Sequence, residues 1–241
     1  ATPEAVHLNR LIGDPSIVDR FELIGLPGGF AHGDAVAAGR IMAQLMRLHL
    51  HGAFVRAIER GVPIIAPCNG FQIAAQMGLL PGPEEGEPWP DRPPRPSIRL
   101  ADNESARFSD RWVKVELEVN SRCIWTQGLS FDQQERMLPI AHGEGRFIPG
   151  SDDLLAHLEQ CGRIAVRYAA DDNPNGSVAN VAGICDATGL VLGLMPHPER
   201  YYRWTQHPFW TRLGGDHATR EPLGLAMFRN AVAHARSAVA V

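Results

Sequence analysis

At 241 residues, with 44% apolar side chains, a formal net charge of -4 and a pI near 6.2, the chain can fill one core and lacks the basic surplus that nucleic acid or an anionic membrane surface selects. Its four cysteines, Cys68, Cys123, Cys161 and Cys185, form no CxxC pair and no regular spacing, which argues against a zinc site or a disulfide framework and for a reducing, cytoplasmic setting. No apolar run reaches the roughly 18 residues of a membrane span and no basic-then-apolar leader is present, so a soluble protein is expected.

In chain order, a short strand is expected at Ala5 to Leu8. The apolar run from Phe21 closes on Pro27-Gly28-Gly29, as a buried parallel strand entering a loop does. From Asp34 to about Arg60 apolar residues recur at spacings of three and four, which predicts helix with an interruption near His51-Gly52 and an end at Gly61. A second buried strand follows at Val62 to Ala66, then a helix from Asn69 to Met77 closed by Gly78. This β-α-β-α alternation predicts an α/β fold, an open and mostly parallel sheet flanked by helices, with a smaller antiparallel portion. Residues 81–97 are dense in proline and acids and read as an exposed insertion within one domain spanning 1–241. Trp112 to Val119 alternates as a strand with one wet face. Further strands are expected at Ile164 to Tyr168, Val181 to Cys185 and Val191 to Leu194, and a last helix from about Leu223 to Ala235.

Cys68 falls where the second strand turns into the helix, and Gly70 permits another backbone to approach that turn. A cysteine at a helix N-terminus gains the positive end of the helix dipole and free N–H donors, which favour the nucleophilic thiolate. Cys123, Cys161 and Cys185 have no such setting and read as small apolar residues. A thiol nucleophile needs a base and a group to orient that base. Met195-Pro196-His197-Pro198-Glu199-Arg200 offers both: in an extended chain residues two apart share a side, so His197 and Glu199 can face one site. Both this segment and the Pro27-Gly28-Gly29-Phe30 loop lie beyond the carboxyl ends of strands, where α/β sheets gather their ligands. Main-chain N–H groups of Gly29 and Asn69 are the candidate oxyanion donors. Arg203, His207, His217 and the aromatic run Tyr201-Tyr202-Arg203-Trp204 are assigned to packing or an interface.

Pro27-Gly28-Gly29-Phe30 with Gly33-Asp34, Cys68-Asn69-Gly70-Phe71-Gln72, His142-Gly143-Glu144-Gly145-Arg146, Asn173-Pro174-Asn175-Gly176-Ser177 and Met195 to Arg200 occur in the order of a known family. Together with Asn103, Ser105, Phe108, Arg111 and Trp112 they resemble the glutaminase subunit of phosphoribosylformylglycinamidine synthase, a class I glutamine amidotransferase of flavodoxin-like fold, over residues from about 5 to 235. The resemblance implies Cys68 as nucleophile, His197 as general base and acid and Glu199 orienting the histidine, with glutamine held by Gln72 and the main chain around His142, Gly143 and Glu144. It further implies no metal or organic cofactor for glutamine hydrolysis, a partner synthetase that uses ATP and Mg, ammonia passed between them for purine biosynthesis, and a small third subunit. Two departures stand out: Ala66-Pro67 where the family has glycine and an aliphatic residue, and no counterpart of the family's first strand and helix ahead of Ala1. The competing readings are a glutaminase serving another synthetase, a redox-active elbow cysteine on a similar fold, and a truncated inactive chain.

Overall fold

The structure is a computed structural model that describes residues 2–213 and 221–239. Its strands are β1 (Ile24–Gly25), β2 (Ile64–Pro67), β3 (Ile98–Asp102), β4 (Ser109–Leu117), β5 (Met137–His142), β6 (Glu144–Pro149), β7 (Ile164–Tyr168), β8 (Val181–Cys185) and β9 (Val191–Leu194). The helices are α1 (Leu8–Gly13), α2 (Arg40–His49), α3 (His51–Glu59), α4 (Asn69–Met77), α5 (Asp152–Gln160) and α6 (Leu223–Val239). A seven-stranded sheet runs β1-β2-β9-β8-β7-β4-β5, and β3 pairs with β6 in a separate antiparallel ribbon.

Side-chain alternation along each buried strand divides the core in two. Ile64, Ala66 and Val191 face α2, α3 and α4, whereas Ile65, Leu192 and Leu194 face Trp125, Tyr201 and the Leu223, Met227 and Ala231 stripe of α6. With both faces covered, these strands read as unbroken apolar runs. Where β2 crosses β9 the layers touch: Gly193 lies so close to the ring of Phe71 and to Leu80 that a Cβ there would overlap both.

The α/β class and strands β7, β8 and β9 agree with the expected boundaries, but the antiparallel portion is larger than expected. Among the described residues only β1, β2 and β9 run parallel to one another. The connection of residues 186–190 between β8 and β9 is too short for a parallel crossover, so these strands pair antiparallel. The expected strand at Ala5 to Leu8 does not form: the His7 side chain accepts from Asn9 N–H and caps α1 instead, leaving β1 as the sheet edge. The expected helix from Asp34 starts only at Arg40, because His32, Asp34 and Val36 all adopt positive φ, and it breaks at Leu50 into α2 and α3. Residues 81–97 form neither helix nor strand until β3, and are mostly exposed as expected. Arg163 donates to the Pro81 and Pro83 carbonyls and Arg47 to those of Pro93 (3.1 Å) and Pro94 (3.0 Å), so the segment is strapped down at both ends. Among the described residues no helix is long and apolar enough to cross a membrane.

Because Phe71 and Leu80 are fully enclosed, neither can give way to a methyl group at position 193. Gly193→Ala is expected to destabilise the fold by about 1–3 kcal/mol, seen as a lower denaturant midpoint with an unchanged slope.

Candidate active site

Strand β2 ends at Pro67 and α4 begins at Asn69, so Cys68 alone must turn the chain, and it does so at φ 52° and ψ -110°. That region of backbone space costs a residue with a side chain about 1–3 kcal/mol. Its N–H donates to the Leu194 carbonyl at 2.7 Å, and its carbonyl accepts from Phe71 at 2.9 Å and Gln72 at 3.2 Å. Gly70 packs directly on the Leu26 carbonyl, leaving no room for a Cβ, which is the close backbone approach that the sequence predicts at the elbow. Ala66 and Pro67 pair with Gly193 and Leu194 without interruption, so the departure at these two positions leaves the elbow intact.

His197 follows β9, held by its N–H to the Pro139 carbonyl at 2.8 Å. The segment after it is not extended as expected: Pro198–Arg200 forms a 3-10 turn, for which proline's fixed φ is suited at the first position. The pairing survives, with His197 Nδ1 2.6 Å from Glu199 Oε1. Gly28 closes over the pair, since a Cβ on it would lie 2.7 Å from His197 Cε1 and 3.4 Å from Cys68 Cβ. Gly29 has φ +132° and nothing within 4 Å of the corresponding position, so Gly28 rather than Gly29 has its flank against the pair. The Cys68 thiol, 6% exposed, donates to the Ala141 carbonyl at 3.6 Å, and His197 Nε2 is buried with no hydrogen-bond partner among the described residues. Burial works against the charged form of His197, but interaction with Cys68 and the hydrogen bond and charge of Glu199 outweigh it and raise the pKa to about 9. The arrangement can therefore store a proton on the ring beside the cysteine and deliver it to a leaving group.

The remaining predicted residues form the wall around this pair. The Asn69 side chain accepts from Ala31 N–H at 3.2 Å and donates to Asp34 (3.2 Å) and Gln72 (2.8 Å), tying the glycine loop to α4. Gln72 donates to the Glu144 carbonyl. Carbonyls of His142 and Gly143 are likewise engaged, by the Asn103 side chain at 2.9 Å and its N–H at 2.8 Å. Asn103, 1% exposed, is the hub that sequence reasoning noted only as part of a pattern: its Oδ1 also accepts from Gly145 N–H at 3.2 Å and faces His142 Nδ1 at 3.0 Å. Asn175 Nδ2 donates to the Gly145 carbonyl at 2.8 Å, and Asn173 Oδ1 caps the N–H groups of residues 175–177. The Asn173 to Ser177 block is thus a buttress behind β6 and not a ligand of the pair. Its signal in the sequence was a run of small amide and hydroxyl side chains where a loop needs none.

Cys123 and Cys185 lie in the core, where contact with Cys123 and then burial push the Cys185 thiol up, away from reactivity. Cys161 sits at the end of α5 beside His157. His207 is stacked on Trp204 (centroids 5.7 Å apart) and Tyr201 meets Trp112 edge-on at 5.1 Å, so these aromatics are packing, as assigned, with Arg203 over the Tyr202 ring. His217 lies outside the described residues.

Burial and the neighbouring positive His197 lower the pKa of His142 to about 4. The unfolded chain, with a histidine pKa near 6.5, then binds this proton first, so the stability is fully present above pH 6.5 and is lost as pH falls toward 4. Denaturation midpoints should drop between pH 6.5 and 4 by the equivalent of about 3 kcal/mol from this group, and His142→Gln should flatten that slope.

The family described as the CobB/CobQ-like glutamine amidotransferase domain matches residues 1–235. Phosphoribosylformylglycinamidine synthase subunit PurQ from Dehalococcoides mccartyi is 39% identical over 97% of this chain and 87% of the relative. The subunit of that name from Thermomicrobium roseum is 42% identical over 77% of this chain and 72% of its own length. The solved structure of PurLQS from Thermotoga maritima superposes with a TM-score of 0.61 at 28% identity, covering 90% of this chain and 81% of that one. With an elbow cysteine, a carboxylate-paired histidine and likeness along nearly its whole length, the chain belongs to the CobB/CobQ-like glutamine amidotransferase family, among the PurQ subunits of phosphoribosylformylglycinamidine synthase.

Proposed function

We propose that the chain is the glutaminase subunit of phosphoribosylformylglycinamidine synthase and hydrolyses glutamine to glutamate and ammonia for a partner synthetase in purine biosynthesis. The observation that carries this reading is the 2.6 Å contact of His197 with Glu199 beside a cysteine held at positive φ on a strand–helix elbow. The Cys68 thiolate attacks the side-chain amide carbon of glutamine, and the new oxyanion is held by main-chain N–H groups of Asn69, at the start of α4, and Gly29. His197 gives its proton to the departing nitrogen, the C–N bond breaks, and ammonia leaves a γ-glutamyl thioester on Cys68. Water then attacks the thioester, His197 takes its proton, and glutamate leaves as the thiolate is restored. Glu199 keeps the Nδ1 proton in place so that Nε2 does the exchange in both halves.

This half-reaction draws on side chains and main-chain donors of the chain itself, with no metal or organic cofactor in any step. ATP and Mg are assigned to the synthetase, which takes up the ammonia, and a small third subunit completes the complex in the cytoplasm. Support for the synthetase comes from the names of the relatives and from the PurLQS likeness. Pairing of His197 with Glu199 argues against an oxidation sensor, which has no use for a proton shuttle.

In the complex with its synthetase, Cys68→Ser is expected to abolish glutamine-dependent synthesis while leaving ammonia-dependent synthesis near wild type. Glu199→Gln should lower kcat for glutamine by roughly 10²- to 10⁴-fold. Mass mapping after treatment with a glutamine-like electrophile should place the label on Cys68 alone, suppressed by excess glutamine. Equal labelling of all cysteines without protection by glutamine in the complex would overturn the assignment.

A further inference from the structure

Two ring nitrogens at the elbow are buried with no hydrogen-bond partner among the described residues, Nε2 of His197 and Nε2 of His142. The first exchanges protons in the reaction above. The second has no part in it, although a buried polar atom left unsatisfied destabilises a fold by about 1–3 kcal/mol. His142 stands against the reacting groups. It follows Ala141, whose carbonyl receives the Cys68 thiol, on the strand whose Pro139 carbonyl receives the His197 N–H. After burial, the positive charge of His197 is what lowers the pKa of this ring.

Asn103 decides which nitrogen of His142 carries the proton. Its Nδ2 donates to the carbonyls of Arg107 (2.8 Å) and His142 (2.9 Å), and its Oδ1 receives the Gly145 N–H at 3.2 Å, so the amide fits only one way round. The atom facing His142 Nδ1 at 3.0 Å is therefore an oxygen, and Nδ1 must donate to it. A neutral ring protonated on Nδ1 presents a bare lone pair at Nε2. Gly145 lies so close to the ring that a Cβ there would overlap it, which holds the ring in this orientation.

The departing amide nitrogen needs such an atom. As His197 protonates it in the tetrahedral adduct, its own two N–H groups point into a space walled by Cys68, His142 and His197, each less than a tenth exposed. An acceptor there must also be a poor acid, because a second proton would turn ammonia into ammonium, which has no lone pair for attack on a further substrate. Neutral His142 meets both conditions. Tyr168, whose hydroxyl accepts from Asn175 Nδ2 at 3.5 Å, is held protonated by burial and adds no charge nearby.

We infer that His142 Nε2 is the hydrogen-bond acceptor for the nitrogen leaving glutamine, taking one N–H of the tetrahedral adduct and then of free ammonia. No proton passes to His142. The C–N bond breaks, its electron pair stays on nitrogen, and the proton from His197 leaves with the ammonia. The inference rests on the glutaminase reading above, and it gives the His142 side chain a role where the family resemblance implied only main chain.

The test uses the complex with the synthetase and two substrates, glutamine and L-glutamic acid γ-methyl ester, whose leaving oxygen has no hydrogen to donate. His142→Asn keeps an amide nitrogen where Nδ1 faced Asn103 and removes the acceptor. It should lower kcat/KM for glutamine roughly 10- to 100-fold and leave kcat/KM for the ester near wild type. His142→Gln, which can bring an amide oxygen to the place of Nε2, should recover part of the glutamine activity. Equal losses on both substrates, or no loss on glutamine, would overturn the inference. Nitrogen-15 NMR of the wild-type protein tests it without any variant: His142 should be protonated on Nδ1 and bare on Nε2, and the opposite tautomer would overturn the inference whatever the variants do. A wild-type complex that hydrolyses neither substrate would remove the glutaminase reading itself.

Discussion

The site depends on one crowded crossing of backbones. Cys68 can hold a positive φ only because its N–H is fixed to Leu194 on β9 and because Gly70 lets the Leu26 carbonyl press against the first turn of α4. The same crossing brings the ends of β1, β2 and β9 together, and from those three ends come the glycine loop, the cysteine and the histidine. Parallel pairing is therefore what makes the site: any two of these strands set antiparallel would send one of the three groups to the opposite edge of the sheet. The antiparallel remainder, β8-β7-β4-β5, supplies a wall and the Ala141 and Pro139 carbonyls that receive the thiol and the His197 N–H.

Two buried histidines in this region titrate in opposite directions, and the difference lies in what each ring faces. His197 faces a carboxylate and a thiol, both of which gain from a positive ring, and its pKa climbs against the pull of burial. His142 faces the Asn103 amide oxygen and the positive His197, so burial and that charge outweigh a favourable backbone hydrogen bond and lower its pKa. Asn103 Oδ1 has two lone pairs, so it can meet His142 Nδ1 and hold the Gly145 N–H as well.

Legibility from sequence followed how local each cause is. The elbow at Cys68 was readable because strand, cysteine, glycine and helix follow one another within a dozen residues, and β8 and β9 were readable as unbroken apolar runs, β7 as one interrupted only by Arg167. The strand β5 was hidden by Pro139, tolerated because β5 lies at the sheet edge, and β6 by the glycines at 143 and 145. Helix α5 is short and owes its start to Ser151 capping Leu154 N–H, a signal easily lost beside the acids that follow. The strand expected at Ala5 to Leu8 failed because a strand needs a neighbour, and nothing in four residues tells whether one will be there. Asn103 was visible only as one letter of a pattern, and its role as a hub was not: that role comes from His142, Gly143 and Gly145 arriving beside it from forty residues away.

The strapping of residues 81–97 bears on how this surface can change over evolutionary time. Arg163 and Arg47 grip main-chain carbonyls of Pro81, Pro83, Pro93 and Pro94, and a carbonyl is the same whatever side chain it carries. Proline suits such a grip, since it offers an acceptor and no competing donor. The stretch between the straps can accept new charges, lengths and shapes while its two ends stay where they are, so this face can be rewritten for a different neighbour without touching the elbow.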